Sequence, residues 1–154
     1  MKLSERIKQD HFTSPGQESL LSIIVTGNWI MSRLSAVMVP HGITPAQYNV
    51  LRILRGSHPK MLTCSEIGQR LLDRTPDVTR LLNRLEQSGY VTRARAGHDR
   101  RVVEVALTPK GVELLERMRD DVEGQVASLT QSLSSEEHRQ LCDLLELLRE
   151  QQDD

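Results

Sequence analysis

The sequence has few aromatic residues and only two cysteines, and each shortage argues against a class of protein. Aromatic residues make up 3% of the 154 residues, so we expect an aliphatic core. Base stacking on aromatic side chains is then disfavoured as a way of holding single-stranded nucleic acid. Cys64 and Cys142 are too few for a disulfide framework or a structural zinc site, and they fit a reducing cytoplasm.

Signals for membrane insertion, secretion and catalysis are also scarce. A long, largely apolar run without charge lies between Glu18 and Arg33. It contains Thr26, Gly27 and Asn28, so it is short and polar for a span of about 20 apolar residues. No signal-peptide pattern precedes it, and we expect a cytoplasmic protein with no membrane partner. The chain has no G-x-S-x-G motif, glycine-rich phosphate loop or metal-ligand cluster, so we expect neither an enzyme nor a cofactor.

Hydrophobic spacing and helix start signals predict a mainly helical chain. Apolar residues recur every three or four positions from about Gly16 to Val39, which predicts one long helix with a wide apolar face. Capping residues predict further helices that begin at 44, 63, 75, 108 and 134. The helix at 75 opens with Thr75-Pro76 and buries every third or fourth residue, and Gly89 fits its left-handed C-terminal cap.

A short hairpin is predicted after this helix. Apolar and polar residues alternate over 90–95 and again over 102–107, with a turn at 96–100. Three helices followed by a hairpin are the order of a winged helix-turn-helix. We therefore predict a mainly α fold with a small β-hairpin, built as one domain over 1–154. Its winged lobe spans 43–107, and helical dimerisation regions flank the lobe at 16–40 and 108–151.

Positive charge is concentrated in residues 74–101. This segment holds seven arginines and three acidic residues, a net of +4 in a chain whose total is −1. From Val112 to the end, twelve acidic residues face four arginines, a net of −8. Such asymmetry is an electrostatic footprint for phosphate. We expect the helix and hairpin to bind double-stranded DNA and the acidic helices to stay away from it.

Three blocks occur in order along the chain: ITPAQYNVLRIL at 43–54, TPDVTRLLNRLEQSGYVTR at 75–93 and HDRRVVEVALTPKG at 98–111. On these blocks the sequence resembles the MarR family, the multiple antibiotic resistance regulators, from Leu20 to Arg149. The resemblance implies a transcription regulator, commonly a repressor, that binds DNA as a homodimer. Because one winged helix covers few base pairs, two copies about one DNA turn apart predict an inverted-repeat operator. The leucines at 141–148 could alternatively belong to an intramolecular core.

Base reading is assigned to the polar face of the helix that begins at 75, because such a helix fits the major groove. Arg80 is the best candidate for a bidentate contact to guanine, and the alternative for this face is simple solvation. The predicted contacts on the helix are Thr75, Asp77, Thr79, Arg80, Asn83 and Arg84.

The hairpin is predicted to supply backbone and minor-groove contacts. By resemblance, Arg101 enters the minor groove from the wing tip, and Asp99 holds the tip in shape. Arg93, Arg95 and Arg100 are then phosphate contacts, which position the protein without specifying sequence. For Asp99 and Arg100, an ordinary exposed turn is the alternative.

Members of the family commonly bind a small phenolic or anionic effector between the dimer region and the lobe. Trp29, Arg33, His41 and Tyr48 fall near that junction and combine apolar walls with polar anchors. They are therefore the predicted effector site, although Trp29 and Tyr48 are more often simple core or interface residues.

Three further residues have weaker chemical signals. Cys64 lies at a helix N-terminus, where the dipole favours the thiolate, so oxidant sensing is possible in principle. We favour an inert thiol, because redox-sensing relatives commonly carry their cysteine in the first helix, which has none here. His138 and Cys142 are four residues apart, but two ligands do not make a metal site. The competing function is a winged helix that binds protein instead of DNA.

Overall fold

The helices begin where side chains satisfy the first free amide groups. In the computed structural model, which describes residues 2–73, 77–95 and 102–150, each cap accepts the N–H three residues on. The capping residues are Ser14, Thr44, Thr63, Asp77, Thr108 and Ser134. The helices are α1 (Leu3–Ile7), α2 (Pro15–Met38), α3 (Pro45–Ser57), α4 (Cys64–Arg70), α5 (Val78–Gln87), α6 (Pro109–Thr130) and α7 (Ser135–Arg149). A short 3₁₀ helix (Val39–His41) links α2 to α3.

Three short antiparallel strands complete the fold in the order β1-β3-β2. They are β1 (Leu62–Thr63), β2 (Val91–Arg95) and β3 (Val103–Leu107). In the hairpin, Val91 pairs with Leu107 and Arg95 with Val103. The predicted mainly α fold with a small hairpin is confirmed. Strand β1 was not predicted, because two residues are too short to display an alternating pattern.

The start of α5 differs from the sequence prediction, while its end agrees. The helix was expected to open at Thr75-Pro76, but it begins at Val78. Asp77 stands in an extended conformation, and its carboxylate accepts the N–H of Arg80 at 3.0 Å. This aspartate therefore replaces Thr75 as the cap. At the other end, Gly89 has a φ of +75° and allows the reversed chain to hydrogen-bond the last free carbonyls of α5.

One aliphatic core joins the lobe to parts of the flanking helices. It fills the space between α3, α4, α5 and the sheet, and includes Met38 from the end of α2. Leu114, Leu115 and Met118 extend this core along the first turns of α6. The lobe is therefore held to the start of α6 by apolar packing. The boundaries of the predicted regions stay predictions.

A close approach locks the hairpin to the start of α6. The Thr108 hydroxyl donates to the carbonyl of Gly89 at 2.7 Å, and the Thr108 N–H donates to the carbonyl of Tyr90 at 3.1 Å. A Cβ atom at Gly111 would stand 2.3 Å from that Tyr90 oxygen. Only glycine fits at this position without moving the backbone.

The helical segments farthest from the lobe bury almost nothing. We call residues 15–33 and 123–149 the distal arms; none of their side chains is buried. They carry eleven of the fourteen large apolar side chains that stand exposed in the described residues. The 27-residue helical segment 15–41 also contains an 18-residue window with a mean hydropathy of 1.4, so it is long and apolar enough for a membrane span by length and composition alone. A helix whose apolar face meets another protein has the same length and composition.

Candidate nucleic-acid interface

Helix α5 presents its polar face outward. Leu82 and Leu85 bury the opposite face against the core. The exposed residues on the outer face are Thr79, Arg80, Asn83 and Arg84. Within the part of the chain that the structure describes, neither Arg80 nor Arg84 forms an ion pair. Both guanidinium groups are therefore available to a ligand, which is the condition the base-reading prediction needs.

Asp77 has a structural role that the sequence analysis did not predict. Its exposed carboxylate satisfies the helix N-terminus by accepting a hydrogen bond from the N–H of Arg80, and its contact with DNA stays a prediction. A negative charge at this end is also favoured by the helix dipole. Asp77 thus sets where α5 starts and how its first turn presents Thr79 and Arg80.

The two arginines of β2 have different surroundings, although both were predicted to contact phosphate. Arg95 is exposed and has no ion-pair partner among the described residues. Arg93 is only 22% exposed, and its Nε lies 3.6 Å from a carboxylate oxygen of Glu86 on α5. Its Nη2 donates to the carbonyl of Thr79 at 3.4 Å. The structure therefore directs Arg93 at the protein and leaves Arg95 open.

Four predicted DNA contacts fall outside the described residues. They are Thr75, which precedes α5, and the wing residues Asp99, Arg100 and Arg101. Their assignment stays a prediction from the sequence.

Lys110 closes the C-terminal end of α5 and was missed by the sequence analysis. Its Nζ donates to the carbonyl of Ser88 at 2.8 Å and lies 5.2 Å above the ring of Tyr90. A cation here complements the negative end of the helix dipole. The two partners are 22 residues apart, and no local pattern signals a contact over that separation.

The four residues predicted for an effector do not meet in one cleft. Tyr48 lines an open cleft of about 520 Å³ between α3 and α6. Its charged neighbours there are Arg52, Arg55, Glu116, Arg119 and Glu123. Trp29 lines a different cleft, between α1 and α2. Helix spacing placed these residues near one junction but did not show which way each faces, and their role as an effector site stays a prediction.

The remaining two residues of that set lie outside both clefts. His41 Nε2 stands 3.3 Å from the carboxylate of Asp121 on α6, and Arg33 is exposed on α2. Of the four, Tyr48 alone belongs to the cleft between the lobe and α6.

The cysteines and His138 have mostly structural surroundings. Cys64 is half-buried at the start of α4 and packs against the core, so its redox activity stays a prediction. A ring nitrogen of His138 lies 3.2 Å from the carbonyl of Thr130, across the turn between α6 and α7. Cys142 is exposed.

The chain is similar in sequence to a known family and to two of the transcription regulators described next. The model of the MarR family matches residues 41–102. The Bacillus subtilis helix-turn-helix-type transcriptional regulator YkoM is 34% identical over 105 residues, which are 68% of this chain and 67% of YkoM. The homoprotocatechuate degradative operon repressor of Escherichia coli is 29% identical over 116 residues, 75% of this chain and 77% of the repressor.

A solved structure with DNA supports the same relationship. A mutant of Escherichia coli MarR crystallised with operator DNA is 30% identical, with a TM-score of 0.74. The alignment covers 82% of this chain and 89% of that one. Sequence identity over most of a solved relative, the matching family model and the winged helix-turn-helix geometry agree, and the chain belongs to the MarR family.

Proposed function

We propose that the protein is a transcriptional regulator that binds an inverted-repeat DNA operator as a homodimer and inserts α5 of each subunit into the major groove. The observation that carries the proposal is the outer face of α5, where Arg80 and Arg84 are exposed and unpaired among the described residues. An arginine free of internal partners can form the bidentate contact that distinguishes guanine. The similar Escherichia coli MarR mutant was crystallised with operator DNA, which supports this reading.

The distal arms supply the second half of the proposal. Their apolar side chains need cover that the monomer does not provide, and contiguous exposed apolar surface marks an interaction site. Leu141, Leu144 and Leu148 on α7 face Ile23 on α2 across an open groove of about 580 Å³. Pairing of the arms of two subunits would cover these leucines and hold two α5 helices about 34 Å apart, one turn of DNA.

This arrangement also accounts for the long apolar run of α2. Buried in a dimer, the face of residues 15–41 has no need of a lipid bilayer. We therefore place the protein in the cytoplasm, where its DNA is. The sequence features that argue against an enzyme agree with a family of transcription regulators.

The cleft beside Tyr48 is the place we propose for an effector. It lies between α3 of the lobe and α6, so an occupant that prefers one distance between them would change the spacing of the two α5 helices. Three arginines outnumber two glutamates in its lining, and Arg52 has no ion-pair partner among the described residues, so the cleft favours an anionic ligand. Tyr48 favours one with an aromatic ring. The relative named a repressor supports repression as the outcome of binding.

Selection of bound duplexes from random-sequence DNA, followed by competition binding, tests the proposal. We expect an inverted repeat, and we expect Arg80→Ala to weaken binding to it by about 1–3 kcal/mol per site while the fold and dimer stay intact. Arg117→Ala is the matched control, because Arg117 is an exposed arginine on α6, outside both α5 and the distal arms. Its affinity for the duplex should equal that of the wild type.

A protein-binding module is the alternative, and salt dependence separates the two. Binding through arginine–phosphate contacts should weaken with ionic strength, with a log–log slope of about −0.9 per phosphate neutralised. Recovery of no enriched sequence, together with a flat salt dependence, would reject DNA binding and favour the module.

A further inference from the structure

Arg93 and Arg95 are two arginines of the same strand, β2, that differ in exposure and in their contacts. They lie two residues apart on β2, so their side chains leave the same face of the strand. Arg95 is exposed, whereas the Nε of Arg93 is buried and makes no hydrogen bond. Residues of equal charge on the same face would be expected to serve the same ligand. Their different surroundings argue for different roles.

The guanidinium group of Arg93 touches both ends of α5. Glu86, in the last turn, places its carboxylate 3.6 Å from Nε, and Thr79, in the first turn, accepts a hydrogen bond from Nη2 at 3.4 Å. These two positions are seven residues apart, about 10 Å along a helix axis and on the same side of it. The guanidinium group of Arg93 on β2 therefore contacts polar groups of two residues that are two helical turns apart on α5.

We propose that Arg93 is a positioning residue, which fixes the hairpin to α5 so that the wing and the recognition helix meet DNA as one rigid unit. The inference rests on the proposed function. The covalent link from α5 to β2 is short and passes through Gly89, whose positive φ is accessible at little cost. The contacts of Arg93 with Glu86 and Thr79 add a second connection between α5 and the hairpin, farther along β2. With its charge already opposed by Glu86, Arg93 has little to add to phosphate binding.

The direction in which a Glu86 substitution changes DNA affinity tests the proposal. A carboxylate 42% exposed on the recognition helix repels the DNA backbone, so neutralising it should strengthen binding if it had no other role. If it holds Arg93, its neutralisation frees the hairpin and weakens specific binding. Glu86→Gln is thus expected to weaken specific DNA binding, whereas the loss of its negative charge alone would strengthen it.

The test measures the affinity of the full-length dimer for the selected duplex and for poly(dI-dC), each over a range of salt concentrations. We expect Arg93→Gln and Glu86→Gln each to lose about tenfold in affinity for the selected duplex, and the double variant to lose no more than either. Binding of Arg93→Gln to poly(dI-dC) and its salt slope should stay close to those of the wild type. Glu86→Gln removes a charge that repels the DNA backbone, so it should bind poly(dI-dC) at least as tightly as the wild type. A purely structural defect would instead lower the melting temperature and weaken binding to both DNAs.

Arg95→Gln is the matched control on the same strand. As a phosphate contact it should reduce the slope by about 0.9 per subunit, or about 1.8 per dimer, with similar losses on both DNAs. The proposal is overturned if Arg93→Gln reduces the slope in the same way, or if Glu86→Gln binds the selected duplex as tightly as the wild type or more tightly. Should Arg93→Gln fail to fold, Glu86→Gln decides alone, because a half-exposed carboxylate is replaced by a group of the same shape.

Failure of the proposed function gives a different result. In that case the wild type itself binds the selected duplex no better than poly(dI-dC), before any variant is compared.

Discussion

The winged lobe and the distal arms are built from similar aliphatic residues but bury them to opposite degrees. In the lobe, Leu51, Leu62 and Leu82 are fully buried. In the arms, Leu144 and Leu147 are 65% and 62% exposed. The lobe thus satisfies its apolar surface within one chain, whereas we propose that the arms satisfy theirs through a second one. Stability of the lobe should be a property of the chain, and stability of the arms a property of its concentration.

A matched pair of leucine truncations is the strongest test of this contrast. Leu82→Ala leaves a cavity in a closed core and should lower the free energy of unfolding by about 2–5 kcal/mol at any protein concentration. Leu144→Ala should leave the lobe intact and weaken self-association by about tenfold or more, because a leucine side chain in an interface is worth about 1.5–3 kcal/mol.

Denaturant unfolding at two protein concentrations and sedimentation equilibrium measure both effects. If Leu144→Ala changes neither the association constant nor the concentration dependence of unfolding, the arms are not the dimer interface. A wild type that sediments as a monomer at micromolar concentration would contradict the comparison altogether.

The junction between the two regions gives the next effect in size. Gly111→Ala would place a methyl group 2.3 Å from the carbonyl oxygen of Tyr90, so α6 and the start of β2 must separate. Overpacking of this kind costs about 1–3 kcal/mol in unfolding free energy. Gly124→Ala is the control, because nothing lies within 4 Å of its added Cβ, and alanine should stabilise that helical position slightly. Equal melting temperatures for the two variants would show that the junction is not closely packed.

The smallest expected effect concerns two similar capping boxes, one at the start of α4 in the lobe and one at the start of α7 in the distal arm. Hydrogen bonds from the Thr63 backbone, and then from Lys60, lower the pKa of Glu66 to about 2, from 4.5. Because this pKa is depressed in the folded state, the stabilisation is complete above about pH 4.5 and is lost as the pH falls toward 2. Melting temperatures of the wild type and Glu66→Gln should therefore differ near neutral pH and converge across that interval.

Glu137, which has the same place in the capping box of α7, provides the control for the Glu66 measurement. The backbone amide of Ser134 likewise lowers its pKa. Since α7 buries no side chain and α4 buries Ile67, the Glu137→Gln variant should change the melting temperature less than Glu66→Gln. An equal or larger change for Glu137→Gln would mean that α7 is as firmly held as α4.

Much of the fold was predictable, because its signals are local. Thr44, Thr108 and Ser134 cap helices as predicted, since a hydroxyl and an amide three residues apart meet wherever a helix begins. Gly89 ends α5 as predicted because its positive φ disfavours other residues. Thr75 misled the prediction, since Asp77, two residues later, is also a strong cap and sequence alone does not choose between them.

The candidate site was predictable only in part. Exposure of Arg80 and Arg84 follows from the periodicity of α5, whose leucines occupy the other face. The burial of Arg93 does not, because Glu86 and Thr79 reach it from a separate element. Likewise, helix spacing places Tyr48 and Trp29 on α3 and α2 but does not tell which clefts they line.

By itself, the amino-acid order determined where helices start and stop, which side of each is apolar and where positive charge accumulates, because these depend on neighbours within a few residues. Tertiary structure alone decided which arginines are left free for DNA and which is held by the protein. It also decided that the apolar faces of the arms stay uncovered in a single chain. Both outcomes depend on how distant segments meet in space, and the free energy of such contacts is not encoded in any local pattern.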